Sequence, residues 1–371
     1  MARVAVAMSG GVDSAVAAAL LVHEGHEVVG LTMNLWPTWV PPSDGASRGC
    51  CGVSAIDDAR ATAARLGIRH YVLNLREAFE REVIDYFLDE YARGRTPNPC
   101  IACNQAVKFR VLLDKVETLG CESLATGHYA RVTHDAATGR HLLLRAADAR
   151  KDQSYVLYAL TPAHLARLRF PVGEYTKPEV RALARRFDLP VADKPDSQEI
   201  CFVPRGHYGD LVAARRPEAA RPGPILSADG AVLGTHAGVG RYTVGQRRGL
   251  GVAGAVPRYV IDIDPERNVV IVGGPGDLVR EDVVVDRVNW IVPPPPPERV
   301  TVRVRHAAAD VAARLRMRDD GRVDVLFESP QRAAAPGQAV VFYDGERVLG
   351  GGIIEREVLG REEMIHHGGP H

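Results

Sequence analysis

Two groups of residues in this chain carry chemistry by type and spacing. The first is Ser9-Gly10-Gly11-Val12-Asp13-Ser14, which follows the apolar run Val4-Ala5-Val6-Ala7-Met8 and opens the Ala-rich stretch from Ala15 to His23. That order reads as strand, tight turn, helix. The first N–H groups of a helix lack partners and sit at the positive end of its dipole, so the turn suits a phosphate. Two glycines let the backbone approach a pyrophosphate closely. Ser9 and Ser14 are expected to add hydroxyl donors, and Asp13 to hold a metal ion or orient a donor. The string G-x-x-x-x-G-K-[ST] is absent and no Lys stands in the turn. An ordinary strand-to-helix turn is the plainer alternative, and the full S-G-G-x-D-S string after a buried strand counts against it.

The second group is thiols. Cys100-x-x-Cys103 falls in a segment with two prolines, expected as a loop, and Cys201 falls in another. Two thiols that meet over an activated substrate suit sulfur transfer, one carrying a persulfide and the other resolving it by exchange. Against this stand a structural zinc half-site, which Cys50 and Cys51 could complete, and plain packing. Cys121, after a helix-ending Gly120, is expected in the core.

These groups need elements to position them. Val28 to Met33 and Tyr71 to Leu75 read as further buried strands, and Trp36 to Gly49 as a surface loop. Ser54 to Leu66, Arg76 to Arg93 and Gln105 to Leu119 have helical spacing, and Ser123 to Thr126 is a short strand. Strands alternating with helices predict an α/β fold with a doubly wound parallel sheet. Ligands of such sheets bind at the carboxyl ends of the strands, where the Ser9 turn, Met33 and Gly127 fall. Arg131 to Arg145 reads as a hairpin around Ala137-Thr138-Gly139. Thr176-Lys177-Pro178-Glu179 has capping-box spacing and starts a helix reaching about Phe187. From Gly223 onward, short alternating runs separated by Gly, Pro and Asp are an all-β signature, with Pro293 to Pro297 a stiff spacer or edge. The expected division is 1–207 for the α/β domain, 208–280 for a small β-rich domain and 281–371 for a C-terminal β-barrel. His366 to His371 are expected to be disordered.

Composition sets bounds. The 371 residues carry 46 Lys and Arg against 46 Asp and Glu, so no global charge advertises nucleic acid, and any basic surface must be local. Arg299, Arg303, Arg305, Arg314, Arg316 and Arg318 flank alternating apolar positions and could form one. A solvated strand face beside Asp310, Asp319 and Asp320 is an equal alternative. The chain shows no bilayer-length apolar run and no secretory signal, so a cytoplasmic location without membrane contact is expected. Six cysteines in such a chain argue for metal or redox chemistry over a disulfide scaffold.

The Ser9–Ser14 string resembles the loop of the ATP pyrophosphatases. With Gly94 to Asn104, Ala125 to Tyr129, Lys151 to Tyr155, Ser197 to Phe202, His236-Ala237-Gly238, Tyr242 to Gly251 and Pro336-Gly337-Gln338, the chain is similar in order, over nearly its whole length, to the tRNA-specific 2-thiouridylases. The resemblance implies an enzyme that adenylates the C2 oxygen of a wobble uridine with ATP and Mg²⁺, then displaces AMP with persulfide sulfur. It implies that Cys201 carries the persulfide and Cys103 is its catalytic partner. It implies an ATP site of Ala7, Met8, Ser9, Gly10, Gly11, Val12, Asp13, Ser14, Met33 and Gly127. It further implies tRNA contacts from Asn98, Pro99, Cys100, Lys151, Asp152 and Gln153, to which the basic face adds Arg303 and Arg305, and a sulfur-donor protein as second partner. One departure matters: many members have Asp, assigned an acid/base role, where this chain has Cys100. A thiol does not inherit that role. The C-x-x-C variant also resembles sulfurtransferases that hold a [4Fe–4S] cluster, here on Cys100, Cys103 and Cys201. The persulfide relay is favoured over the cluster. Another ATP pyrophosphatase, or a non-catalytic nucleotide- or tRNA-binding module, would not need both the Tyr242–Gly251 string and the loop cysteines.

Overall fold

The computed structural model describes residues 1–37, 39, 53–196, 200–203, 208–252, 256–306 and 308–356. The expectations for Cys50, Cys51, most of the loop after Trp36, Ser197 to Glu199 and the C-terminal histidines lie outside the described residues.

Strands β1 (Arg3–Ala7), β2 (Glu27–Asn34), β3 (Arg69–Asn74) and β4 (Ser123–Thr126) pair in parallel. Val4, Ala5 and Val6 are fully buried, as a strand covered on both faces must be. A hairpin, β5 (Arg131–Asp135) and β6 (Arg140–Leu144), follows, and β7 (Leu168–Arg169) completes the sheet in the order β3-β2-β1-β4-β7. The chain leaves β1 with β2 on one side and β4 on the other. The crevice at their carboxyl ends is the position where doubly wound sheets bind ligands.

Helix α1 (Val12–His23) is buried from Val12 to Leu21 apart from Asp13. Its alanines let it pack on two sides. Ala15, Ala19 and Leu20 meet Val180 and Ala184 of the helix Lys177–Arg186, while Ala18 and Leu21 meet Ala59 and Ala63 of helix α2 (Val53–Leu66). Two longer helical runs, 76–92 and 99–118, follow β3 in the chain and each contains a π-helical stretch, Glu80–Asp85 and Cys103–Val111.

A four-stranded sheet follows: β8 (Gly223–Ser227), β9 (Val232–His236), β10 (Tyr259–Asp264) and β11 (Val269–Gly273), in the order β10-β11-β8-β9. Its inner residues Ile225, Val260, Ile263 and Val272 share one core with Phe87 and Tyr91 of the first helical run. The last strands are β12 (Val279–Trp290), β13 (Val300–Arg303), β14 (Val311–Met317), β15 (Val323–Arg332), β16 (Ala339–Asp344) and β17 (Arg347–Ile354). They run β12-β15-β14-β13-β16-β17, and pairing of β12 with β17 closes a six-stranded barrel. β12 reaches both neighbours by bending at register shifts after Arg280 and Asp286. The hairpin β5–β6 leaves the first domain and adds to the barrel through Leu144 opposite Arg347. Among the described residues no helix is long and apolar enough to cross a membrane.

Candidate active site

The Ser9–Ser14 turn lies between β1 and α1, with Gly11 at the N-cap in an extended conformation and no side chain capping it. The first helical N–H groups are therefore left for a ligand. Gly10 has φ +68°, and a Cβ there would stand 2.3 Å from the Ala55 carbonyl oxygen, so the approach of α2 requires glycine. Gly127, at the end of β4, is needed for a similar reason: a Cβ would lie 2.5 Å from the Ser14 nitrogen. Its part is to let the next strand end close against the turn.

The hydroxyls differ from expectation. Ser14 is 4% exposed; its Oγ donates to the Gly11 carbonyl at 3.0 Å and accepts from the Ser9 N–H at 3.1 Å. Its proton holds the turn in shape here. Ser9 Oγ, 3.3 Å from Ser14 Oγ, remains the hydroxyl facing the turn. The Thr32 hydroxyl donates to the Met8 carbonyl at 2.7 Å and stands 2.8 Å from His70 Nε2. Burial, then the nearby Arg60 charge, lowers the His70 pKa, so the ring is neutral and fixes Thr32 without adding charge.

Asp13 is not a lone charge on a surface turn. Its carboxylate accepts from Lys177 Nζ at 2.7 and 2.9 Å and from the Tyr129 hydroxyl at 2.8 Å. Burial, followed by the Asp13 charge, raises the Tyr129 pKa, so the phenol stays protonated and donates. Lys177 opens its helix behind a capping box of Thr176 and Glu179, and its side chain is 10% exposed. The same Nζ reaches Asp196 at 2.9 Å, and Asp196 also accepts from Lys151 at 2.8 Å and Arg181 at 3.1 Å. Burial would raise the Asp196 pKa, but hydrogen bonds and charge from Lys151 and Lys177 outweigh it and hold it at about 2. On the other flank Lys194 donates to the Gly10 carbonyl at 2.9 Å and to Asp58 at 2.5 Å. The turn without a lysine is thus bracketed by two, each more than 160 residues away in sequence.

Cys100 and Cys103 sit on a helix, not in a loop, whereas Cys201 lies in a turn between elements as expected. Asn98 is the N-cap, its side chain accepting from the N–H of Cys100 at 3.0 Å and of Ile101 at 3.4 Å, and Pro99 fills the first helical position. Asn-Pro here starts a helix, because proline at that position forfeits only an N–H with no partner to lose. Cys100 is exposed and Cys103 half-buried at the entry to the π-helical stretch. Cys201 is also half-buried. Phe202, beside it, is driven between Phe79 and Phe87 with edge contacts at 5.8 and 5.2 Å. Cys103, Cys201 and Met33 border one apolar cluster built on Phe79, Phe87 and Phe202. Met33 also borders the core beneath the strand ends.

Among the described residues, no three or more His, Cys, Asp or Glu side chains are placed to hold a metal ion. Cys100, Cys103 and Cys201 are therefore not assembled as cluster ligands. The carboxylates by the turn do not make a protein-only Mg²⁺ site either, since Asp13 is occupied by Lys177 and Tyr129.

Of the residues expected on tRNA, Asn98 and Pro99 build the helix start that presents Cys100. Gln153 accepts from the Tyr129 N–H at 2.9 Å, and Lys151 faces Asp196. Asp152 and Arg303 are engaged within the protein. The Asp152 side chain is 2% exposed and accepts from the Ala146 and Ser154 N–H groups and the Ser154 hydroxyl; Arg303, 13% exposed, joins Asp152 at 3.3 Å and Asp310 at 2.8 Å. Both are occupied inside the contact between the first domain and the barrel. Arg305 is exposed. Sequence reasoning missed Lys177, Arg181, Lys194, Asp196 and Tyr129. The capping box located Lys177 on a helix, but nothing local tied it to Asp13.

Family models match residues 2–205 as a tRNA methyl transferase HUP domain, 210–274 as its PRC-barrel domain and 280–354 as an aminomethyltransferase beta-barrel domain. The chain is 53% identical to tRNA-specific 2-thiouridylase MnmA of Moorella thermoacetica, over 94% of this chain and 98% of that one. It is 52% identical to the protein of that name from Symbiobacterium thermophilum, over 96% and 93%. A solved 4-thiouridine synthetase–RNA complex with bound ATP aligns over 58% of this chain and 51% of its own, at 18% identity and a TM-score of 0.35, too slight a likeness to argue from. The family models and the two relatives cover the turn, the thiols and the barrel together, and on that footing the chain belongs to the tRNA-specific 2-thiouridylases.

Proposed function

We propose that this chain is an ATP-dependent tRNA sulfurtransferase that replaces the C2 oxygen of the wobble uridine with sulfur. The observation that supports this reading is that Cys103, Cys201 and Met33 all border one apolar cluster, while Met33 also borders the core that holds Ala7 at the end of β1. Met33, expected at the nucleotide, thus packs against the same cluster as both thiols.

The C2 oxygen attacks the α-phosphorus of ATP, and pyrophosphate leaves. The open N–H groups of α1 face the phosphates and stabilise their charge. The uridine must leave its stack to reach the site. Cys201 carries a persulfide, loaded by a sulfur-donor protein. When the Cys103 thiolate attacks the inner sulfur, the outer sulfur departs as hydrosulfide and adds to C2, and AMP carries away the oxygen. A Cys103–Cys201 disulfide remains, which a two-electron reductant reopens. Mg²⁺ brought in on the ATP phosphates would supply further neutralisation of their charge. The reaction belongs in the cytoplasm, where tRNA is available.

The test is tRNA-dependent ATP–pyrophosphate exchange, combined with mass spectrometry of the modified base. Cys103→Ala and Cys201→Ala should retain exchange and form no thiouridine. Exchange without tRNA, or thiolation surviving both substitutions, would overturn the reading.

A further inference from the structure

The hairpin β5–β6 carries a pair of side chains that the reaction above does not use. His134 and His141 are direct partners in its antiparallel register. Their rings lie 5.0 Å apart between centroids and are inclined by 60°. From this juxtaposition we propose that the two histidines form a binding site for one divalent transition-metal ion that favours imidazole, of the class of Zn²⁺, Ni²⁺ and Cu²⁺.

Side chains directly opposite on an antiparallel pair share one face, with Cβ atoms about 4.5–5.5 Å apart. At that spacing each imidazole can turn one nitrogen to a common point about 2 Å away, the length of a metal–imidazole bond. The inclination of the rings is not that of a parallel stack, in which faces and not nitrogens meet. The pair is also held from both ends. Toward the core, Val132 stands opposite Leu143; Leu143 is fully buried, and Val132 packs against the same cluster. Toward the tip, Asp135 stands opposite Arg140, and its carboxylate accepts from the Ala137 N–H at 3.0 Å and the Thr138 hydroxyl at 2.7 Å. A pair fixed in this way loses little freedom on chelation. The donors select the ion, since neutral imidazole suits zinc, nickel and copper whereas Mg²⁺ and Ca²⁺ take oxygen ligands. Asp135 is no third ligand, because successive residues of a strand point to opposite faces and its carboxylate already closes the turn. Among the described residues no third His, Cys, Asp or Glu joins the pair, so water completes the coordination and the ion exchanges freely. His134 is exposed and His141 half-buried, which leaves the approach from solvent open. A bound ion would tie β5 to β6 in the hairpin that reaches the barrel through Leu144 opposite Arg347 and through Arg131 and Glu346 at 2.9 Å.

The test is calorimetric titration of the full chain with NiCl₂ and, separately, ZnCl₂. The parent protein for it has His366, His367 and His371 replaced by Ala and its accessible thiols alkylated, so that neither group competes for the ion. His134→Ala and His141→Ala should each weaken binding by about tenfold or more, because a single nitrogen forfeits the chelate. The double variant Arg140→His with His141→Arg keeps the same residues and charge but moves one imidazole to the other face of the ribbon. It should bind as weakly as the alanine variants. Saturating Ni²⁺ should raise the unfolding temperature of the parent and leave that of all three variants in place, since only a folded hairpin presents the pair. Excess MgCl₂ should displace nothing. The proposal is overturned if the parent binds neither ion. It is overturned equally if the alanine variants bind as tightly as the parent, or if the exchanged variant does, which would mark histidine content and not the cross-strand pair as the cause.

Discussion

At Asp13 the choice of substitution separates two roles that one carboxylate fills. Asp13→Ala removes the acceptor of a mostly buried lysine and of the Tyr129 hydroxyl, so it should cost stability as well as activity. Breaking a buried pair costs about 3–5 kcal/mol, and partial exposure of Asp13 with Asp196 left in place reduces that to roughly 1–3 kcal/mol. Asp13→Asn keeps an acceptor for Lys177 and should recover most of the unfolding free energy while pyrophosphate release stays low. Equal stability for all three proteins in urea would show that the pair holds nothing together. Asp196 makes a pH prediction at the same scale. Its pKa is about 2 in the fold against an ordinary 3.8, so its stabilising share is present above about pH 4 and is lost as pH falls toward 2. Asp196→Asn should flatten the acid limb of the stability curve there and leave the neutral-to-basic limb unchanged. At Cys100 the exposed thiol is not needed by the relay, so Cys100→Ser should slow thiolation without stopping it. Activity that tracks iron content across preparations would instead return the cluster mechanism.

Among the elements, the helix from Pro99 presents the thiols and depends on one cap. Asn98→Ala should cost about 1 kcal/mol of stability. It should also slow sulfur transfer more than pyrophosphate release, because fraying moves Cys100 and Cys103 and leaves the Ser9 turn alone. Equal slowing of both steps would show that the cap serves the whole site. The barrel braces the same segment from behind. The Thr96 N–H donates to the Pro336 carbonyl at 2.8 Å, Gln338 Nε2 donates to the Thr96 carbonyl at 2.8 Å, and Arg95 bridges Glu90 and Glu355. This gives Pro336-Gly337-Gln338 a physical role that its sequence could not disclose. What is legible in sequence follows the same logic. β1, β2 and α1 can be read because covering a strand on both faces forces an apolar run, and close helix packing selects alanine. The hairpin around Gly139 is legible from its turn residues. Asn98-Pro99 reads as a breaker because the same two residues also serve as cap and first helical position. The π-helical stretches carry no residue signature. Lys177 and Asp13 are 164 positions apart, and only the packing of α1 on the helix Lys177–Arg186 brings them together.

For the whole molecule, the question is how a chain with no net charge grips a polyanion while staying in one piece. Its first domain and barrel share a core in which Tyr155 and Tyr158 pack with Ile291, Ala339, Val341 and Tyr343. Over that core lies a charged layer. Arg145 and Arg303 both approach Asp152 and Asp310, and Arg145 stacks on the Tyr343 ring at 3.6 Å. Arg303 therefore joins domains, while Arg305, two residues on and exposed, is available to phosphate. The pair should separate by measurement. Arg303→Ala leaves the buried Asp152 with Arg145, Ser154 and the Ala146 N–H and should cost about 2–3 kcal/mol, reduced from the full cost of a broken buried pair because Arg145 remains. Arg305→Ala should change stability by no more than about 0.5 kcal/mol and lower the salt slope of tRNA binding by about one released counterion. An unchanged slope would return Arg305 to a merely solvated face. An Arg303→Ala protein of normal stability whose slope falls would show that the network opens and that Arg303 reaches the tRNA.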